Sequence, residues 1–171
     1  RAAQAREAGA HQDSLETATP GGMETSALAT CDHINRLTDQ KTVARVHSQA
    51  YSAGSMISLA CDEIVMGRDG HLGDSQPIIP SAEGVPQPVG EKAESPLRAK
   101  FRSYAERNGY PSALAEAMVS ERVEVLRVRD PNGNEHYVRG QDYRDAQDEA
   151  ELVDGWKKKD LTQVGSPVVR K

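Results

Sequence analysis

Ser52 stands between small residues in Tyr51-Ser52-Ala53-Gly54, where a polar turn opens the apolar helical run Met56-Ile57-Ser58-Leu59-Ala60-Cys61. The segment Ile64-Val65-Met66, rich in β-branched side chains, follows. A serine at the mouth of a helix between two strands exposes its hydroxyl and has backbone N–H groups beside it. A nucleophile needs that arrangement if the negative charge it creates is to be stabilised. The same serine could equally be an N-cap, its hydroxyl bonded to an N–H of the first helical turn. Two other segments bear on the choice. Thr19-Pro20-Gly21-Gly22 lies between a predicted strand and a predicted helix. Its glycines allow a sharp turn and present N–H groups at a helix N-terminus, which favours an anion; an ordinary strand–helix turn would use them only to bend. Lys92 opens a long helix beyond a Pro-rich loop. A helix dipole disfavours an ammonium there, and desolvation would make the lysine a general base, whereas in water it is only a surface charge.

The elements needed to carry these residues can be read from periodicity. A short helix to about Gly9 precedes a strand over 14–18, unusually polar for a central strand. From 23 to 37, Ala27, Leu28, Cys31 and Ile34 recur at helical spacing. A strand over 43–47, a helix over 52–61 and a strand over 63–67 follow. This rhythm predicts a parallel sheet with crossover helices, with both turns at the carboxyl ends of neighbouring strands, where open α/β sheets place their sites. The stretch 75–90 carries Pro77, Pro80, Pro86 and Pro88, which predict a mobile loop without regular structure. Helices are expected over 91–108, ended by Gly109, and over 111–118. Residues 123–128 and 136–138 flank Asp130-Pro131-Asn132-Gly133-Asn134 and read as a β-hairpin. Charged residues over 141–159 suggest a solvated helix and loop.

At 171 residues the chain suits one domain with a core of its own, expected as 1–120 with 121–171 as an extension of it. Hydrophobic content of 37% with one Phe and one Trp makes that core aliphatic. A net charge of −5 without a basic stripe argues against nucleic-acid binding. No apolar run approaches the ~18 residues of a membrane helix. Arg1-Ala2-Ala3-Gln4-Ala5-Arg6-Glu7 reads as the end of a helix and Ser166-Pro167-Val168-Val169 as the start of a strand, so the chain is expected to begin and end inside a domain. Cys31 and Cys61 are expected as buried free thiols, with a disulfide between them as the alternative; neither has the spacing of a metal or redox site.

Together, TPGG at 19–22, the block 49–77 (QAYSAGSMISLACDEIVMGRDGHLGDSQP) and the later EKAESPLRAKFRSYAERNGY block resemble the ClpP/crotonase superfamily. The resemblance runs over about 1–120 and is strongest to the NfeD-type, membrane-bound ClpP-class serine proteases that sit beside stomatin-like proteins, with signal peptide peptidase A as a close relative. It implies an α/β fold, a ClpP/crotonase-like βαβ spiral with a C-terminal β-hairpin extension. It implies Ser52 as nucleophile and Lys92 as general base, with Lys100 as the fallback. Gly22 and Ala53 would supply the oxyanion N–H groups, and Gly21 and Gly54 would contact substrate. No cofactor or metal is expected. The partners implied are an apolar peptide or membrane-protein substrate, a second copy of the chain and a stomatin-like protein. The full-length protein is expected to be bacterial and membrane-associated or extracytoplasmic.

Two departures from the family pattern matter. The histidine of a Clp-type triad would fall near Pro77, so His71 is expected to be structural; Ser55 and Ser58, inside the helix, should be structural or support the site residues from behind. Ala18 stands where an aspartate or asparagine commonly precedes the glycine turn. The superfamily also contains acyl-CoA hydratases and isomerases, which polarise a thioester with two backbone N–H groups and need no serine nucleophile. A catalytically inactive scaffold is the third reading.

Overall fold

A computed structural model describes residues 12–80, 84–130, 132–148 and 157–158. The helix expected before Gly9 and the strand start expected at 166–169 lie outside the described residues. The chain packs as two units that divide between Ser75 and Gln76.

In the first unit the order is β1 (Gln12–Thr19), α1 (Glu24–Asn35), β2 (Lys41–Tyr51), α2 (Ala53–Ala60), β3 (Glu63–Met66) and β4 (His71–Gly73). All the strand pairings are parallel, as the crossover helices require, and β2 is their common member. It pairs with β1 on one side. On the other it meets β3 through Val43–Val46 and β4 through Gln49–Tyr51. Among the described residues β1 has β2 as its sole partner, so its polar sequence suits an edge; only Thr17 is buried, and Leu15 is 40% exposed.

The core is aliphatic and built from small side chains: Val43, Ala44, Val46 and Ala50 from β2, Met56, Leu59 and Ala60 from α2, and Ala27, Cys31 and Ile34 from α1. Thr42 and Asp62 fix the start of β3 against β2. The Asp62 carboxylate accepts from both the Thr42 N–H and its hydroxyl at 2.8 Å, and the Asp62 N–H donates to Thr42 Oγ1 at 3.0 Å. Parallel pairing brings the carboxyl ends of β1, β2 and β4 to one edge, where the chain continues into Pro20-Gly21-Gly22, Ser52 and Asp74 respectively.

The second unit contains β5 (Ile78–Pro80), β6 (Pro86–Pro88), α3 (Glu91–Arg107), α4 (Ser112–Ala117), β7 (Val125–Arg129), β8 (Glu135–Arg139) and α5 (Gly140–Asp148). The expectation of no regular structure over 75–90 is corrected: β5 and β6 pair antiparallel, Ile79 opposite Gln87 and prolines in the flanking pairs. An antiparallel ribbon bonds only at alternate pairs, so prolines flanking a bonded Ile79–Gln87 pair remove no ladder bond. β7 pairs antiparallel with β8 across the Asp130–Asn134 turn, in which the Asp130 carboxylate accepts from the Asn134 backbone and side-chain N–H groups. The expected loop up to 159 is also corrected, because β9 (Lys157–Lys158) pairs with β7. Leu97, Phe101, Tyr104 and Ala105 of α3 are buried, as their helical spacing predicts.

Both cysteines are free and buried. Burial pushes the Cys61 thiol from 9.0 to about 11, with the Thr42 hydrogen bond opposing and the Asp62 charge reinforcing it. The unfolded chain gives up this proton before the folded one does. Cys61 therefore favours folding at neutral pH, and that contribution is lost as pH rises from 9.0 towards about 11. Native protein at pH 7.5 is expected to leave both thiols unmodified by iodoacetamide, and protein in denaturant to take up two equivalents, as read by intact mass.

A candidate serine active site

Ser52 adopts φ 51°, ψ −115°, a geometry that a side chain with a Cβ rarely takes. Holding one such residue costs about 1–3 kcal/mol and requires the surroundings to fix it. They do so from three directions. The Ser52 N–H donates to the carbonyls of Gly73 (3.0 Å) and Asp74 (3.2 Å) at the end of β4. The Ser52 carbonyl accepts the N–H groups of Ser55 and Met56, which begins α2. Ser75, itself buried, donates its hydroxyl towards the same carbonyl at 3.4 Å and towards Gly73 O at 3.2 Å. Asp74 also has a left-handed backbone, φ 48°, so the two strained residues meet at this junction.

Beneath them lies Ser55, fully buried. Its hydroxyl accepts the Gly73 N–H at 2.8 Å and shares its proton between Ala50 O (2.6 Å) and Gly73 O (2.8 Å). One side chain thus ties the ends of β2 and β4 to the first turn of α2. Ser58 bonds back to Gly54 O within the helix at 2.8 Å. Both serines are structural, as expected.

The Ser52 hydroxyl, by contrast, makes no capping bond to α2 and has no hydrogen-bond partner among the described residues. The N-cap alternative is therefore excluded, and the half-buried hydroxyl stands free beside the glycine turn. A Cβ on Gly21 (φ +139°) would stand 3.1 Å from Ser52 Cβ and 3.6 Å from its Oγ, so only glycine fits there. Thr19 shapes the turn: its hydroxyl accepts the Gly21 N–H at 3.1 Å and donates to Gly21 O at 3.0 Å. That uses the Gly21 N–H and leaves the Gly22 N–H without an acceptor among the described residues. The Ala53 N–H, first of α2, has none either, as helix geometry dictates. A Cβ on Gly22 would lie 3.6 Å from Ala53 Cβ, so these two residues face each other. Ser52, Gly21, Gly22, Ala53 and Gly54 are thus brought together in the first unit.

A cleft of about 350 Å³ opens beside them, with Leu15, Thr17, Met23, Ala27, Ala53 and Ile57 among its lining. Gly54 also lines it, but its main role is packing. A Cβ there would come within 2.5 Å of Thr19 Cγ2, so α2 can lie against β1 only with glycine at this position. Lys92 lies in the second unit, exposed on the first turn of α3, with no ion-pair partner among the described residues; Lys100 is exposed on the same helix. His71 sits on β4 with Nδ1 3.3 Å from Ser48 O, a contact to backbone that fits a structural role. Among the described residues no group of acidic, histidine or cysteine side chains could hold a metal, and no helix is long and apolar enough to cross a membrane. Sequence reasoning missed Thr19, Asp74 and Ser75 as parts of the site. The Gly73-Asp74-Ser75 run, a turn composition directly after β4, was the signal for the last two.

A parallel α/β sheet carrying a strained serine and a glycine turn on one edge defines the class of the site. The chain belongs to the NfeD1b N-terminal domain family, which matches residues 1–146. Among solved structures it is similar to the 1510-N membrane-bound stomatin-specific protease, in a lysine-to-alanine variant with a substrate peptide (TM-score 0.64, 23% identity, 69% of this chain and 55% of that one). A serine-to-alanine variant of that protease gives the same TM-score and identity, with 69% of this chain and 58% of the other covered. At that identity the likeness is one of fold, and the chain spans little more than half the length of those relatives. No curated protein sequence matches it.

Ser55→Ala leaves the Gly73 N–H without its buried acceptor and is expected to cost about 1–3 kcal/mol. Gly54→Ala forces α2 away from Thr19 and is expected to cost a similar amount, about 1–3 kcal/mol. Urea unfolding of the two variants measures both losses; unchanged midpoints would contradict the packing described.

Proposed function

We propose that this protein is a serine endopeptidase that cleaves apolar peptide segments through an acyl-enzyme, with Ser52 as nucleophile and Lys92 as general base. The observation that carries the reading is the unpartnered Ser52 hydroxyl, held on a strained turn beside the two unused N–H groups of Gly22 and Ala53. Lys92, as the general base, takes the Ser52 proton as Oγ bonds to the peptide carbonyl carbon. The resulting oxyanion accepts from Gly22 and Ala53. The C–N bond then breaks, the lysine returns its proton to the leaving amine, and water deprotonated by the same lysine hydrolyses the ester. The mainly apolar cleft beside Ala53 suits an apolar side chain of the substrate. The solved relatives support the assignment: one replaces a serine and the other, crystallised with a substrate peptide, a lysine. A segment of a stomatin-like or other membrane protein is the substrate class that their names suggest for this chain.

Cleavage of casein or of an apolar fluorogenic peptide is expected to fall to a small residual rate in both Ser52→Ala and Lys92→Ala, and a fluorophosphonate probe should label Ser52 in the unsubstituted protein. Full cleavage in Lys92→Ala would overturn the dyad. Tight acyl-CoA binding with no labelling of Ser52 would point instead to a hydratase-like use of the same N–H pair. Gly22→Pro removes one oxyanion N–H and is expected to lower kcat by ~10²–10³.

A further inference from the structure

The first turn of α3, which bears Lys92, is closed by the Ala93 and Glu94 N–H groups donating to Gly90 O, and its backbone support thins beyond that point. Its N-cap is Gly90, with no side-chain cap bond. Pro96 lies inside the helix and has no N–H to donate to the Lys92 carbonyl four residues earlier. What fixes this turn is a buried carboxylate. Glu94 is 1% exposed, and its oxygens are held from two segments outside the helix. Gln76 Nε2 donates to Oε1 at 3.2 Å, and the Ser120 hydroxyl donates to Oε2 at 2.7 Å. Arg98, one turn along α3, lies 3.6 Å from Oε2 and also pairs with Glu91, which Arg122 contacts in turn.

Burying a carboxylate is costly, and an aliphatic side chain would fill the space with less penalty. The geometry it imposes is the return. Residues two apart on an α-helix stand about 200° apart around the axis. Fixing Glu94 inward therefore turns Lys92 outward, as its exposure shows.

We propose that Glu94 is the positioning residue for Lys92, with Gln76 and Ser120 as its anchors. The inference rests on the Ser52–Lys92 reading, and a double-mutant cycle in the purified protein separates the two. Glu94→Gln keeps the side-chain volume but turns one acceptor oxygen into a donor facing Gln76 or Ser120. It is expected to lower kcat on the apolar peptide roughly tenfold, with KM within about twofold, because small misplacements of a reacting group cost rate and not binding. In a Lys92→Ala background the same substitution should change the residual rate by less than about twofold, since a residue acting through Lys92 has nothing left to position. Ser120→Ala, which leaves the carboxylate in place but removes one anchor, should show a smaller kcat loss in the same direction and covers the case in which Glu94→Gln fails to fold.

Unchanged kcat in both Glu94→Gln and Ser120→Ala, or a loss that adds in full to that of Lys92→Ala, overturns the positioning role while leaving the dyad intact. Full activity in Lys92→Ala removes the dyad and this proposal with it.

Discussion

The Gly73 peptide is the point on which the first unit turns. Its N–H donates to the buried Ser55 hydroxyl, and its carbonyl receives the Ser52 N–H together with the hydroxyls of Ser55 and Ser75. Buried backbone groups require partners, and here they are supplied by the residues that must be fixed if Ser52 is to keep a left-handed backbone. Strain at Ser52 and Asp74 is thus balanced by bonds that exist only when β4 lies beside the end of β2. The sheet pairing and the serine geometry are one constraint seen from two sides.

The second unit solves a comparable problem with charge. Besides Glu94, Glu116 of α4 is 3% exposed, yet Arg102 Nη1 reaches it at 3.2 Å and Arg139 Nη1 at 3.6 Å. These two carboxylates connect α3, α4, the loop after α4 and β8. Around them pack small apolar groups, Ala113 and Ala117 against Val125, with Leu126, Val128 and Tyr143 in a neighbouring cluster. Alanine-rich contacts bury little area and specify orientation weakly, and paired buried charges supply the direction that such a core lacks.

Much of this was legible from residue types. The alternation of apolar helices and short strands over 23–67 marks a parallel sheet, and Ser52, Gly21 and Gly22 stand out because they fall at the carboxyl ends of neighbouring strands, although each alone also fits a cap or an ordinary turn. The rest was hidden for physical reasons. The ribbon at 78–88 is masked by its prolines, whose positions are harmless only in the register that tertiary structure selects. Asp74 lies in a turn composition, but that composition does not say which residue takes the left-handed backbone, and Gly73 beside it also has positive φ. Glu94 sits in the charged run Glu91-Lys92-Ala93-Glu94 and reads as solvated; only Ser120 and Gln76, distant in sequence, reveal that it is buried. The absent acid before the glycine turn is answered by Thr19, whose own hydroxyl closes the turn.

Strand β2 is bonded along its first half to β3 and along its last residues to β4, and between those two strands, which run the same way along β2, the chain makes a tight turn at 67–70 where the Gly70 N–H donates to Gly67 O. A Cβ at Gly67 would collide with the His47 carbonyl, so this bend hugs the strand it serves. Ser52, the strand that leads to it and the peptide that restrains it are therefore encoded in one uninterrupted stretch, 41–75. Such a stretch behaves as a cassette: its internal geometry can be inherited intact while the segments before and after it diverge.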